Sequence, residues 1–368
     1  MKNKKIVIQG IRGIPASHGG FETFAEYLVL YLVKKGWEVI VYCQGEPDSE
    51  FVEDEWRGIK RITIPEKRQG PLGTMIFDFK TIVHSTRHKC TVLTLGYNTA
   101  SFNLVYRLMG IKNLINMDGI EWKRDKWGAL AKTWFWLNER CGCWFGHHLV
   151  SDHPEIKKHL ATRVSEQKIT TIAYGGLEVT KADSEYLTEF ELEPDTYGIV
   201  IARPEPENSV LEIVQGFSRS KRNKKLVVLG NFDFDNNQYH QQIKNSASDE
   251  VIFPGAIYDI EKVSALRFFA RCYVHGHTVG GTNPSLVEAI GAGNAIIAHD
   301  NKFNRWVAKE GAIYFTDIDS ISSAFDTLFE NDTLTKQLQG NTKDNFVTNF
   351  QWDKILTEYE DLMIDYLM

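Results

Sequence analysis

Short apolar runs that end at glycine, each followed by a helix-spaced segment, recur along this 368-residue chain. That alternation constrains the fold more than any other feature. Lys5–Gln9 is such a run, closed by Gly10. Bounded apolar runs of this length suit strands buried on both faces. After a Gly-rich loop, Phe21, Phe24, Ala25, Leu28, Tyr31 and Leu32 fall at helical spacing up to Lys35. Gly36 closes that helix as a C-cap. Further strands are predicted at Glu38–Cys43, Ile59–Ile64, Thr91–Leu95, Leu114–Met117, His148–Ser151 and Lys168–Ile172. The acidic stretch Glu178–Thr196 reads as a linker. Beyond it the alternation resumes, with strands at Tyr197–Ala202, Lys225–Leu229, Val251–Phe253, Cys272–His275, Ala295–Ala298 and Ala312–Phe315. Helices are predicted at Ser209–Ser218, Ile260–Phe269 and Pro284–Ile290, and from Ser320 to the end. Such repetition builds parallel sheets covered by helices on both faces. The expected fold class is α/β: two doubly wound, Rossmann-like domains, 1–182 and 190–348, facing across a cleft. A ligand then sits at the carboxyl ends of the strands.

Composition narrows the functional classes. At 43% hydrophobic and 24% charged residues, the chain is globular; disorder, collagen and coiled-coil rods are excluded. No apolar run approaches the ~20 residues of a membrane span. The N-terminal apolar run is interrupted too early for a signal peptide, so a cytoplasmic protein is expected. Five cysteines, odd in number and irregularly spaced, fit reduced thiols. The net charge of -6 conceals an asymmetry: residues 1–182 carry 26 basic against 19 acidic side chains, or +7, and the rest 16 against 29, or -13. Halves so different point to different partners. A basic half suits an anionic membrane or a phosphate-bearing substrate; drift between two domains is the alternative. No nucleic-acid partner is expected.

The strongest local motif is His275–Gly293, a strand running through a Gly-Gly loop into a helix. Asn283 is a good N-cap and Pro284 sits where N1 should be. The N–H groups of Ser285, Leu286 and Val287 are then expected to stay free and to favour an anion such as a diphosphate. Glu288 lies a turn further in, where a carboxylate suits ribose hydroxyls better than a phosphate.

This arrangement resembles the donor site of the retaining glycosyltransferases of family 4, which have the GT-B fold. The resemblance implies donor contacts at His277, Gly281, Thr282, Asn283, Pro284, Ser285, Leu286 and Glu288. That family brackets the loop with a Glu-x7-Glu pair; here Glu288 is kept and Gly280 stands in the first place. His277 is a candidate to take part instead. Gly10–Thr23 and Asn116–Trp127 look like the two signatures of the rhamnosyltransferase-like subfamily. The resemblance implies transfer of L-rhamnose from dTDP-L-rhamnose to a lipid-pyrophosphate-linked saccharide in surface polysaccharide assembly, at the inner membrane face. It also implies that residues 349–368 form a helix returning to the first domain. Alternatives are a family-4 enzyme using a UDP-sugar, a nucleotide-sugar epimerase, and a non-catalytic sugar-nucleotide-binding protein.

Other residues complete the expected site. Gly19 and Gly20 allow close backbone approach just before a helix start, and His18, Glu22 and Thr23 flank them on the acceptor side. The spacing of Gly10, Gly13, Gly19 and Gly20 does not make a dinucleotide fingerprint. Asp118, at a strand end, is expected to orient the acceptor or the reacting sugar, to act as a general base, or merely to cap a helix. Glu121 and Trp122 lie beside it. By resemblance, Arg203 grips the donor diphosphate, while Asn208 stands where the family has Lys. Gly230 and Ile257 border the base pocket. The resemblance implies no cofactor and no metal. Asp233-Phe234-Asp235 reads as a solvated loop, and Cys141, Cys143, His147 and His148 fit no zinc spacing. Trp122, Trp127, Trp134, Trp136 and Trp144, five of nine tryptophans, fall in one basic stretch. They mark either an interfacial surface or a core helix with large aromatics.

Overall fold

A computed structural model of the protein describes residues 4–17, 19–124 and 126–368. The chain forms two compact units: Met1–Tyr174 with Trp352–Met368, and Gly175–Gln351.

The first unit holds an eight-stranded sheet of β1 (Lys5–Gln9), β2 (Glu38–Gly45), β3 (Val52–Trp56), β4 (Ile59–Pro65), β5 (Thr91–Leu95), β6 (Asn113–Asn116), β7 (His148–Ser151) and β8 (Ile169–Thr171). Its order is β3-β4-β2-β1-β5-β6-β7-β8. All neighbours are parallel except β3, which pairs antiparallel with β4. β3 lacks the apolar signal because it is an exposed edge strand. Cross-strand charge holds it instead: Asp54 lies opposite Arg61 and takes its guanidinium at 2.8 and 2.5 Å. Such pairs stabilise a sheet edge and discourage further pairing.

Helices α1 (Gly20–Lys34), α2 (Gly70–Ser85), α3 (Leu104–Leu108) and α4 (Ala129–Phe145) belong to this unit. The C-terminal helix Trp352–Asp365 packs on α1, with the ring centroids of Phe24 and Tyr359 4.7 Å apart and those of Tyr27 and Trp352 4.8 Å apart. Glu360 on that helix accepts from Trp37 Nε1 at 2.8 Å and from Tyr31 OH at 3.0 Å.

The second unit holds a wholly parallel six-stranded sheet of β9 (Tyr197–Ile201), β10 (Lys225–Leu229), β11 (Val251–Gly255), β12 (Cys272–His275), β13 (Ala295–His299) and β14 (Ala312–Phe315). Its order is β11-β10-β9-β12-β13-β14. Its core includes Val200, Phe217, Leu226, Val274 and Phe325.

The boundary falls earlier than residue 182, and the acidic stretch is not a free linker. Gly176 N donates to Phe350 O at 2.8 Å and Val179 N to Gly291 O at 2.9 Å, which ties the chain after Tyr174 to the second unit. Ser184–Phe190 is a short 3-10 helix that buries Leu187, while Asp195 pairs with Arg271 at 2.7 Å. The five cysteines are buried and unpaired. Among the described residues no helix is long and apolar enough to cross a membrane.

Each sheet has a point where strand order reverses: between β1 and β5 in the first unit, and between β9 and β12 in the second. Loops leaving two such neighbouring strands diverge, which opens a crevice at their carboxyl ends.

Candidate active site

The crevice of the second unit is a cavity of about 400 Å³. The segments after β9, β10, β11 and β12 bring Arg203, Asn208, Gly230, Ile257, His277, Asn283, Pro284 and Ser285 to its wall. All eight are among the residues expected from the sequence. Arg203 is exposed at the end of β9, and its guanidinium has no ion-pair partner among the described residues. Among the residues described in the wall it is the one Arg or Lys, and there is no Asp or Glu.

Asn208 organises the floor. It is buried, and its Nδ2 donates to Arg203 O at 2.7 Å. Its Oδ1 therefore faces His277 Nδ1, with which it hydrogen-bonds. That bond assigns a proton to Nδ1. Nε2 lies 3.4 Å from where a Cβ on Gly280 would stand. The imidazole thus occupies space beside Gly280. Gly280 adopts φ +121°, a conformation that disfavours any side chain. At Gly276 a Cβ would meet Asn208 O at 2.2 Å, so glycine alone lets the chain leaving β12 pass against the turn at Asn208. Burial, and then His277, push the His275 imidazole well below its usual value, so it stays neutral.

Two expectations fail here. The N–H groups of Ser285, Leu286 and Val287 are not free. Asn283 Oδ1 accepts from Ser285 N at 2.9 Å, and Asn283 O takes Leu286 N and Val287 N at 3.1 Å. A side chain that caps its own helix competes with any anion for the same donors. Glu288 does not reach the wall either; its carboxylate pairs with Arg267 at 2.5 Å. Gly281, Thr282 and Leu286 also lie outside the wall, Leu286 being core. Asn283→Ala is expected to cost about 1 kcal/mol of stability through the lost cap, read as a lower denaturant midpoint at unchanged slope.

The crevice of the first unit, at the ends of β1 and β5, is a larger cavity of about 940 Å³ lined in part by Gly19, Gly20, Glu22 and Glu121. A Cβ on Gly19 would meet only Glu22 Oε2, at an ordinary 3.6 Å, so no close approach demands glycine there. Glu22 is buried and accepts from Arg12 N at 3.2 Å. Thr23 is turned away: its hydroxyl donates to Gly19 O at 3.2 Å, and it is not in the wall. His18 lies outside the described residues.

Asp118 follows β6 with φ +48°, a left-handed conformation that few residues other than glycine adopt. It is held there by Asn116, whose Oδ1 accepts Asp118 N at 3.0 Å and whose Nδ2 donates to Tyr359 OH at 2.8 Å. Burial, then the nearby Glu121, push its carboxyl up to about 6. It does not cap a helix. Glu121 is fully engaged, accepting from Arg124 Nη1 at 2.7 Å and Trp127 Nε1 at 3.0 Å. Trp122 is tied elsewhere, donating to Glu139 Oε2 at 2.8 Å, and is not in the wall.

The tryptophan stretch divides between the two expected roles. Trp127 and Trp134 face the cavity, whereas Trp136 and Trp144 are 41% and 55% exposed. Arg140 stacks 3.4 Å from the centroid of Trp136. Asp233 is exposed and accepts from Asn236 N at 3.0 Å, as in a solvated turn. His147 accepts from Asn113 N at 3.1 Å, and His148 bonds Thr170 and Tyr366, each at 2.8 Å. Among the described residues no group of three His, Cys, Asp or Glu could hold a metal ion. Sequence reading missed the apolar wall from α2, whose Gly, Thr and β-branched residues mask its helical period. Asp78 and Thr81 on α2 line the cavity.

Residues 189–345 match the family Glycosyl transferases group 1, and residues 3–177 match a Domain of unknown function (DUF1972). An uncharacterized glycosyltransferase of Methanocaldococcus jannaschii is 23% identical over 226 residues, covering 58% of this chain and 57% of the relative. The match thus spans little more than half of that relative's length. Sucrose-phosphate synthase from Thermosynechococcus elongatus aligns with TM-score 0.78 at 15% identity, covering 99% of both chains. The Anabaena protein HepE, solved in complex with UDP-glucose, aligns with TM-score 0.76 at 12% identity, covering 98% of this chain and 99% of that one. At such identities the likeness is one of fold: the two-unit α/β architecture is that of GT-B glycosyltransferases.

Proposed function

From the premise of a group 1 glycosyl transferase domain on a GT-B fold, we propose that the protein moves L-rhamnose from dTDP-L-rhamnose to a lipid-pyrophosphate-linked saccharide with retention of configuration. The cavity at the β9/β12 switch point carries this reading. It pairs one unneutralised guanidinium, Arg203, with the His277 imidazole in a wall that holds no other Arg or Lys and no Asp or Glu among the described residues. A diphosphate satisfies the guanidinium. Because Asn283 caps its own helix, Arg203 bears more of the leaving diphosphate's charge than the sequence assigned to it. In the first unit Asp118 receives the acceptor hydroxyl. Retention follows front-face attack: the acceptor oxygen bonds the anomeric carbon as the C–O bond to the diphosphate breaks, and the departing phosphate oxygen takes the hydroxyl proton. No metal and no covalent enzyme nucleophile are invoked; a trapped glycosyl-enzyme would overturn that scheme.

The rhamnosyl donor rests on the likeness of Gly10–Thr23 and Asn116–Trp127 to the rhamnosyltransferase-like signatures. The membrane site rests on the +7 charge of residues 1–182 and on Trp136, Arg140 and Trp144 exposed along α4. An anionic leaflet attracts such a face, and interfacial tryptophans suit headgroup depth. The proposed location is the cytoplasmic face of a membrane, with the protein bound peripherally. A second reading, a UDP-sugar donor, is favoured by the UDP-glucose complex of the similar Anabaena fold.

Binding of a nucleotide-sugar panel, followed by turnover with a membrane fraction, tests these proposals. Selection of a UDP-sugar over dTDP-rhamnose discards the donor assignment. Conversion of the donor without an acceptor identifies an epimerase. Binding without any turnover identifies a non-catalytic partner.

A further inference from the structure

In the second unit β12 parts from one of its neighbours just before its end. It stays level with β13 through His275 and Ala298, but its pairing with β9 stops at Tyr273 and Ile199. The crevice therefore opens beside His275, which lines its cavity. Tyr273 and His275 share one face of the strand, and their ring centroids stand 6.1 Å apart at 25°. The ring of His277 follows at 5.9 Å and 30°.

Two of these three rings complete a hydrogen bond. Tyr273 OH donates to Ile201 O at 3.1 Å, and His277 Nδ1 bonds Asn208 Oδ1. His275 differs. It is 5% exposed, and its Nε2 is buried with no hydrogen-bond partner among the described residues. A buried polar atom left unpaired costs stability, and folded proteins keep few of them.

Charge and bonding capacity say what completes this ring. Burial, and then His277, hold it neutral, so Nε2 is either an N–H or a lone-pair acceptor. A hydroxyl answers both forms, because it donates and accepts. A phosphate oxygen answers only the N–H form, and its charge favours an imidazolium, against the burial. Phosphate also has the exposed Arg203 guanidinium beyond the end of β9.

We propose that His275 holds a hydroxyl of the sugar carried by the nucleotide and thereby sets which sugars the cavity accepts. The proposal rests on the nucleotide-sugar reading, whose sugar contact it locates at the gap between β9 and β12. A sugar without that hydroxyl leaves Nε2 buried and unpaired, and sites built to bond a hydroxyl reject the analogue that lacks it.

The test measures binding of dTDP, UDP, dTDP-L-rhamnose and UDP-glucose to the full chain by calorimetry, for the parent, His275→Leu and His275→Gln. Leucine should not lower the melting temperature, since Nε2 has no bond to lose. It should weaken the sugar nucleotide that the parent binds by about 10–100-fold, the range for one buried hydrogen bond, and leave the bare nucleotide within about twofold. Glutamine, which donates and accepts, should recover part of the loss. In the parent, one of the 2-, 3- and 4-deoxy forms of that sugar nucleotide should lose affinity by a similar factor, and His275→Leu should no longer distinguish it. A parent indifferent to all three deoxy forms overturns the proposal whether or not the variants fold. A leucine variant that melts like the parent overturns it too, if it binds the sugar nucleotide within about twofold or loses the bare nucleotide equally. Each of these outcomes leaves the nucleotide-sugar reading standing; a parent that binds no sugar nucleotide removes both.

Discussion

Arg203→Ala is expected to lower kcat/KM for sugar transfer by about 10²–10³-fold, the usual cost of removing one preorganised group from a developing negative charge. The physical reason is scarcity. Arg203 is the one Arg or Lys among the described residues of the cavity wall, Asn208 carries no charge, and Asn283 has claimed the helix N–H groups. No second group compensates. Stability should barely change, because the guanidinium is exposed and unpaired; substitutions at such positions usually stay within about 0.5 kcal/mol. Arg203→Lys should recover only part of the rate, since an ammonium lacks the two-pronged fit to phosphate oxygens. Steady-state kinetics with dTDP-rhamnose beside a melting curve separates the effects. An alanine variant within threefold of the parent would remove Arg203 from the site.

Asp118→Asn should lower kcat by about 10²–10⁴-fold, the range for a group that handles a reacting proton or hydroxyl. The pH profile carries the diagnosis. Burial first, and Glu121 second, push the carboxyl up to about 6. Activity that needs the carboxylate therefore rises as pH passes through about 6 and levels off above it, while the Asn variant keeps a flat, low profile. Stability has the opposite sign. The folded state holds this proton more tightly than the unfolded chain, whose value is about 4. The unfolded state alone releases it between those values, so stability is fullest at low pH and is lost as pH rises from about 4 to 6. Above that window the charged group costs about 2–3 kcal/mol. The Asn variant should consequently be slower yet more stable at neutral pH, the trade expected of a functional residue kept in a costly place. A variant that loses activity and stability together would mark Asp118 as structural.

Much of the fold was legible from neighbour-to-neighbour pattern. β1, β5, β7, β10, β12 and β14 fall on their expected residues, because a strand buried on both faces tolerates little but apolar side chains. β3 was hidden, since its charged residues make sense only against Arg61 and Lys60 of β4. α2 was hidden too, its helical period blurred by residues with other preferences. In the site, glycines and strand ends pointed correctly to Arg203, Asn208 and His277. Glu288 was misread because spacing places a residue on a turn but not against a partner, and Arg267 arrives from a separate helix. Asn283 shows the same gap: one residue type either caps a helix or leaves its donors to a ligand, and only the folded loop chooses.

By itself the sequence determined the parallel strands of two sheets, their order of appearance, and the strand ends where chemistry gathers. These depend on periodicities of two and 3.6 residues and on glycine, all properties of adjacent residues. The tertiary structure decided which donors are spent, which carboxylates are paired, and how far Asp118 and His275 are pushed from their usual values. Those outcomes depend on desolvation and on partners brought from distant parts of the chain, as when Tyr359 steadies Asn116 beneath Asp118. Local spacing cannot encode the dielectric around a side chain, because the surrounding surface exists only once the chain has folded.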